Sequence, residues 1–261
     1  MKAIIIIPAR YNSTRFKGKL LAPLNGIPMI EHVYKNALKS KLAGDVIVAT
    51  DNSLIFDAVT SFKGNVVMTS LKHQSGTDRI CEVARDLKTS EGQYYDIIVN
   101  VQGDEPLMRP EMIDDVIKIL YEEKIVMGTL KKAIKSASEI FDPNVVKVVT
   151  DIEGFAIYFS RSTIPYYRDI FVNAENNLKI NPVESGLNIY KHIGIYSYKR
   201  ETLINLTTLP QSELEKCEKL EQLRAIENGI KIKVRETQFD TIGVDTREDL
   251  KKAETCLNTY S

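Results

Sequence analysis

The chain has no charge excess: Lys+Arg and Asp+Glu number 35 each in 261 residues. That balance excludes a global electrostatic attraction to nucleic acid or an anionic membrane, so an anion must be met by a local cluster. Cysteine is scarce. Cys81, Cys217 and Cys256 lie far apart, form no Cys-x-x-Cys pair and make an odd count. This excludes a zinc knuckle and argues against a disulfide framework, leaving helix-face thiols of a reducing compartment. No apolar run reaches membrane-spanning length, and the five apolar residues after Lys2 are too few for a signal-peptide core. The expectation is a soluble cytoplasmic protein with neither a membrane nor a nucleic-acid partner.

Two phosphate-binding signatures are missing as well. A Walker loop ending at Gly18-Lys19 needs glycine where Ser13 stands and a hydroxyl where Leu20 stands. No Gly-x-Gly pair occurs anywhere, which removes the dinucleotide fingerprint. A phosphate must therefore be held largely by side chains.

What is present is a rhythm of β-branched runs and helical patterns. Residues 2–7, 45–49, 66–68 and 96–101 read as strands, and 28–40, 54–62, 77–87 and 110–122 as helices. This alternation predicts parallel strands with right-handed crossovers. The middle of the chain departs from it. Residues 126–131, 145–150, 155–160 and 192–198 are strand-like with few helices between, so antiparallel additions are expected in the second half. Residues 173–188 read as a long loop, 212–228 as one helix capped by Gly229, 231–236 as a strand and 247–257 as a closing helix. The expected architecture is α/β: one domain over residues 1–261, with a mostly parallel, Rossmann-like sheet flanked by helices. Ligands of such sheets bind beyond the carboxyl ends of the strands.

Five constellations fall at those ends. The first, Pro8-Ala9-Arg10-Tyr11-Asn12-Ser13-Thr14-Arg15-Phe16-Lys17-Gly18-Lys19, follows the first strand. It brings four cations to one loop and suits a nucleoside triphosphate; a solvated surface loop is the alternative. The second is Gln102-Gly103-Asp104-Glu105-Pro106, where Asp104 is either a magnesium ligand or a turn aspartate. The third is Gly243-Val244-Asp245-Thr246-Arg247-Glu248. Asp245 is an N-cap with Glu248 in a capping box, or a second magnesium ligand beside Asp104. In the fourth, His73-Gln74-Ser75-Gly76-Thr77-Asp78-Arg79, Ser75 and Gly76 allow close backbone approach to a base or ribose. Arg79 adds a cation there, and Asp78 fits a cap. The fifth comprises Arg161 at a strand end and His192, Gly194 and Tyr196 on one strand face. These suit an acidic, hydroxylated sugar, or else a packed core His and Tyr. Glu221 and Gln222 lie in the 212–228 helix, where a solvated glutamate is the default.

Together these blocks resemble the 3-deoxy-manno-octulosonate cytidylyltransferases, or CMP-Kdo synthetases. Residues 8–19, 73–79, 101–106, 158–166, 191–196, 220–224 and 243–250 resemble that family's blocks in order and span nearly the whole chain. Lys17 and Arg247 depart from it, standing where the family has prolines. The resemblance implies a magnesium-dependent transferase that couples CTP to an acidic 3-deoxy sugar and releases pyrophosphate, for lipopolysaccharide or capsule synthesis. It places Arg10, Arg15 and Lys19 on the triphosphate, with Lys19, Arg10, Asp104 and Asp245 as the catalytic set. It further implies Ser75, Gly76, Arg79 and Gln102 near the cytidine, and Mg²⁺ on Asp104 and Asp245. Arg161, His192, Tyr196, Glu221 and Gln222 would surround the sugar acid, with Arg161 or His192 as cation for its carboxylate. A homodimer is expected from the same resemblance. The rivals are an 8-amino or sialic-type acid as acceptor, a hexose-phosphate nucleotidyltransferase, and a non-catalytic nucleotide-binding protein.

Overall fold

The β-branched run at the start of the chain is buried on both faces and forms β1, Ala3–Ala9. The computed structural model describes residues 1–13, 15–171, 181–182 and 184–260. After β1 come a short hairpin, β2 (Pro23–Leu24) and β3 (Ile27–Pro28), and helix α1 (Met29–Ala37). Strands and helices then alternate: β4 (Ala43–Thr50), α2 (Ser53–Ser61), β5 (Val66–Met68), α3 (Gly76–Asp86), β6 (Ile97–Asn100) and α4 (Pro110–Ile119). The second half adds β7 (Met127–Ala133), α5 (Ala137–Phe141), β8 (Lys147–Thr150), β9 (Ala156–Ser160), α6 (Arg168–Phe171) and β10 (Tyr190–Lys199). It closes with α7 (Arg200–Thr208), α8 (Glu213–Glu218), α9 (Gln222–Glu227), β11 (Lys233–Glu236) and α10 (Arg247–Tyr260).

Among the described residues, nine strands form one sheet with the path β11-β7-β10-β6-β1-β4-β5, and β8 and β9 branch from β10. β1 pairs parallel with β4 and β6, β4 with β5, and β11 with β7. β10 runs antiparallel to β6, β7 and β8. This is the α/β architecture expected, with its antiparallel additions in the second half. The alternation along β1 separates two cores. Ile5 and Ile7 pack with α1 and α4 on one face, and Ile4 and Ile6 pack with Ile80, Leu203 and Leu206 of α3 and α7 on the other. Each fully buried isoleucine contributes about 1.5–3 kcal/mol, so the strand that carries the Arg10–Lys19 loop is among the firmest in the chain.

Two expectations change, and a third is left untested. The helix read over 212–228 is two helices, because Lys219 adopts a left-handed conformation (φ 55°) between α8 and α9. The chain between 199 and 209 forms α7, for which no helix was expected. The loop expected over 173–188 lies mostly outside the described residues, as does Thr14. Among the described residues no helix is long and apolar enough to cross a membrane.

Candidate active site

The Arg10–Lys19 loop is closed by its own backbone. The Gly18 amide donates to the Tyr11 carbonyl at 3.0 Å, and Gly18 sits at φ +70°, where a Cβ would come within 3.2 Å of the Tyr11 ring. That glycine turns the chain into a short 3-10 turn, Lys19–Leu21, which buries Lys19 to 8 % exposure. Beyond β6, Gly103 passes so close to β1 that a Cβ would lie 3.0 Å from the Pro8 carbonyl oxygen. This close approach delivers Asp104 to the same edge.

The Lys19 ammonium donates to Asp104 Oδ2 at 2.6 Å and to Asp245 Oδ1 at 2.8 Å. Arg15 Nη2 holds the other Asp245 oxygen at 2.7 Å. Residues more than 220 positions apart in sequence thus form one knot of two cations and two carboxylates. Burial alone would lower the Lys19 pKa, but the two carboxylates raise it overall, so it remains charged. Asp245 is free for this role because the capping box of α10 belongs to Thr246 and Asp249. Thr246 Oγ1 accepts from the Asp249 amide at 3.2 Å, and Asp249 Oδ2 accepts from the Thr246 amide at 3.0 Å. Arg247, at the start of α10, lies over the Phe16 ring at 5.3 Å.

Glu105 accepts from Thr241, and its burial, with Asp104 and Asp245 close by, pushes its pKa up to about 7. Among the described residues no group of three His, Cys, Asp or Glu side chains is placed to hold a metal. Asp104 and Asp245 themselves offer the hard oxygen donors that suit Mg²⁺ when a ligand and water supply the rest of the shell.

Arg10, Arg15, Lys19, Gly76, Gln102, Gly103 and Asp104 line a cavity of about 340 Å³. Arg10 Nη2 donates to the His73 carbonyl at 3.1 Å, while its buried Nε has no partner among the described residues. Burial, and then the neighbouring Arg79 cation, lower the Arg10 pKa. Gln102 stands at the boundary with a second cavity of about 430 Å³, and its Nε2 donates to Asn100 Oδ1 at 3.1 Å. That second cavity is lined by Arg161, His192, Gly194, Tyr196, Glu221 and Gln222, and Asp245 reaches it too. It opens into a wider cleft of about 1080 Å³ bordered by Arg161, His192, Lys191 and Asp245.

The register of β10 against β7 shifts between Ile193 and Tyr196, a bulge at the cavity wall. Thr129 spans it by donating to the Ile195 carbonyl at 2.7 Å. With that hydroxyl proton committed, Thr129 Oγ1 accepts from His192 Nε2 at 2.9 Å, and Nδ1 is left as an acceptor. The His192 ring packs 5.0 Å from Phe159 and 5.2 Å from Tyr196. Burial pushes its pKa down to about 3. His192 is therefore neutral, and of the two cations expected for a sugar carboxylate only Arg161 remains. The Tyr196 hydroxyl is buried without a partner among the described residues, and burial raises its pKa well above the ordinary value.

Two other placements differ from expectation. Arg79 is fully buried and supplies no free cation: Nη2 pairs with Asp51 Oδ2 at 2.6 Å and Nη1 donates to Thr69. Glu221 is not a solvated helix residue. Its Oε1 accepts from Ser75 Oγ at 3.1 Å, and burial raises its pKa. Ser75 is the N-cap of α3 in a reciprocal box with Asp78, so the loop that starts α3 and the second cavity share a hydrogen bond. Asn100, Lys147 and Glu218 also shape the site and were not anticipated; an asparagine ending a buried strand was the one available signal.

A mostly parallel sheet with a cation loop and two convergent carboxylates at its carboxyl edge defines the chain as a nucleotidyltransferase. The cytidylyltransferase family model matches residues 4–232. A 3-deoxy-manno-octulosonate cytidylyltransferase of Thermodesulfovibrio yellowstonii is 52 % identical over 100 % of both chains. Its counterpart in Geotalea daltonii is 53 % identical over 97 % of this chain and 96 % of its own. A solved CMP:2-keto-3-deoxy-manno-octonic acid synthetase, complexed with CTP, superposes with a TM-score of 0.87 at 41 % identity over the full length of both. A cytidylyltransferase from Leptospira borgpetersenii shares the fold at a TM-score of 0.61 and 18 % identity, over 100 % of this chain and 88 % of its own. The chain belongs to the 3-deoxy-manno-octulosonate cytidylyltransferase family.

Proposed function

We propose that the chain transfers the cytidylyl group of CTP to the anomeric hydroxyl of 3-deoxy-manno-octulosonate, releasing pyrophosphate. The observation that carries this assignment is the Lys19 ammonium held between Asp104 and Asp245 where two cavities meet. The cavity with Arg10, Arg15 and Lys19 has the charge for a triphosphate. The cavity with Arg161, His192 and Tyr196 has, among the described residues, one cation and the unpaired Tyr196 hydroxyl for an acidic, hydroxyl-rich sugar. Gln102 lies at their junction, where an α-phosphate and the attacking oxygen must meet.

In-line transfer from a nucleoside triphosphate needs positioning and charge neutralisation more than covalent help. Lys19, Arg10 and Arg15 take the charge that grows on the departing pyrophosphate. Arg161 pairs with the sugar carboxylate, His192 Nδ1 accepts from a sugar hydroxyl, and the Tyr196 hydroxyl finds the partner it lacks. The two carboxylates fit Mg²⁺ and Asp104 with Asp245 would hold it. Bound there, Mg²⁺ supplies charge neutralisation and lowers the pKa of a coordinated hydroxyl. Of the nucleotide-side residues, Gly76 and Gln102 border the triphosphate cavity, whereas Ser75 and Arg79 act through the loop that carries Gly76. The family resemblance also supports a cytoplasmic homodimer, which sedimentation equilibrium tests.

The decisive assay is pyrophosphate release from each nucleoside triphosphate with Mg²⁺ and a panel of ulosonic acids. The expected result is fastest turnover with CTP and the octulosonate. Equal or faster turnover with ATP or GTP overturns the donor assignment, and preference for the 8-amino analogue or a sialic-type acid overturns the acceptor assignment.

A further inference from the structure

Arg161 is the cation of the second cavity, yet most of its hydrogen-bonding groups are taken by protein. Nε donates to the Glu218 carbonyl at 2.7 Å and Nη1 to the Pro143 carbonyl at 3.0 Å. Its backbone amide donates to Glu218 Oε2 at 3.0 Å. Its carbonyl accepts from Lys147 Nζ at 2.8 Å. Nη2 makes no hydrogen bond among the described residues, and Arg161 lines both the 430 Å³ cavity and the wider cleft.

Two residues organise this cradle. Lys147 is fully buried, and its ammonium also donates to the carbonyls of Asp142 at 2.9 Å and Val145 at 2.6 Å, on either side of Pro143. Glu218 does more. Its Oε1 accepts from Ser160 Oγ at 2.5 Å and from Tyr158 OH at 3.4 Å, so the carboxylate is pinned to β9 while it holds the Arg161 amide. Its carbonyl is available for Nε because Glu218 ends α8 and Lys219 turns the chain into the left-handed region. The last carbonyls of a helix have no intrahelical partner. The break in the helix thereby places one residue against both the backbone and the side chain of Arg161.

We propose that Glu218 is a positioning residue for the sugar acid: it fixes the rotamer of Arg161 so that the remaining guanidinium edge faces the second cavity. This rests on the assignment of that cavity to the sugar. An arginine carries much rotamer freedom, and holding it in the bound geometry beforehand removes that cost from binding. Neutralising Glu218 weakens its anchor on Ser160 and on the Arg161 amide, and so loosens the Glu218 carbonyl that aims the guanidinium through Nε.

The test compares Glu218→Gln, Arg161→Ala and the double variant in steady-state kinetics with CTP, Mg²⁺ and the octulosonate, together with thermal midpoints. The expected result is a rise of about tenfold or more in the sugar KM of Glu218→Gln, as for a modest misplacement of a binding group, with the CTP KM within about twofold of wild type. In the double variant the sugar KM should be no worse than in Arg161→Ala, because there is then no guanidinium to aim. A purely structural role predicts multiplying effects, or equal loss for both substrates, and either result overturns the proposal. So does an unchanged sugar KM in Glu218→Gln when Arg161→Ala raises it. If Arg161→Ala itself leaves the sugar KM unchanged, the sugar assignment of the cavity is what fails, and the proposal falls with it. Should Glu218→Gln not fold, Ser160→Ala removes one anchor of the same carboxylate and is read by the same criteria.

Discussion

His192 gives a prediction that separates burial from catalysis. Its pKa in the folded protein is about 3, against 6.5 for a free imidazole, because burial disfavours the cation. The folded pKa is depressed, so on acidification the unfolded chain takes up a proton that the folded chain refuses. Stability must then fall as pH drops through the unfolded value of 6.5, and the loss continues until the pH nears 3. Between pH 7 and pH 5 the folded ring stays neutral while the unfolded ring becomes almost fully charged. The loss over that interval is about 2 kcal/mol at 1.36 kcal/mol per unit. Glu105, with its raised pKa of about 7, titrates in the same range with the opposite sign, so wild-type data alone mix the two. A difference measurement isolates the histidine. His192→Gln keeps a donor for Thr129 but has no titrating group, so the Glu105 contribution cancels. Urea unfolding of both proteins at pH 5 and pH 7 should show wild type losing about 2 kcal/mol more than the variant. Equal losses in the two proteins, within about 0.5 kcal/mol, would falsify the claim that this ring is held neutral by desolvation.

Asp104→Asn should keep the fold and lose most turnover, since an amide is a poorer Mg²⁺ ligand than a carboxylate; near-wild-type kcat at low Mg²⁺ would make Asp104 structural. Lys19→Ala should raise the CTP KM or lower kcat by roughly tenfold to a hundredfold, as expected for about 1–3 kcal/mol, with the sugar KM little changed. Lys147→Met removes a buried donor from three part-buried carbonyls and should cost about 1–3 kcal/mol of stability by denaturant unfolding. A loss below about 1 kcal/mol would show that water replaces the ammonium there.

The parallel half of the fold was legible because local and tertiary demands agree there. A β-branched run buried on both faces, a polar loop and an amphipathic helix repeat in order, and each step is dictated by its neighbours in sequence. The second half was harder to read because its pairings are remote. Residues 126–131 and 192–198 have strand-like composition, but nothing local says that β10 lies between β6 and β7. The helix break at Lys219 had no local signal either, since no glycine or proline interrupts 212–228. The bend is imposed by tertiary contacts. The buried pair of Arg224 with Glu215, at 2.6 and 2.8 Å, ties α9 back onto α8 and leaves the lysine between them in a conformation it would not choose alone.

The same distinction explains which site residues kept their expected places. Asp104 closely follows β6, and Lys19 and Asp245 are carried on the segments that follow β1 and β11; a sheet brings its carboxyl ends to one edge whatever the loops do. Arg79 is one turn into α3, and its direction depends on Asp51 after β4, a partner that position in sequence cannot reveal. Its burial still serves the edge: the pair ties α3 to the β4 loop, and α3 carries Ser75 and Gly76 at its start. β10 completes the arrangement. A strand antiparallel to β6 enters the sheet at the edge where its parallel neighbours end, so its first half, with His192, Gly194 and Tyr196, reaches the carboxylates. A wholly parallel sheet would present only strand ends and loops there. The reversed strand instead lends a rigid side-chain face, so the edge combines a loop of cations with the wall of a strand.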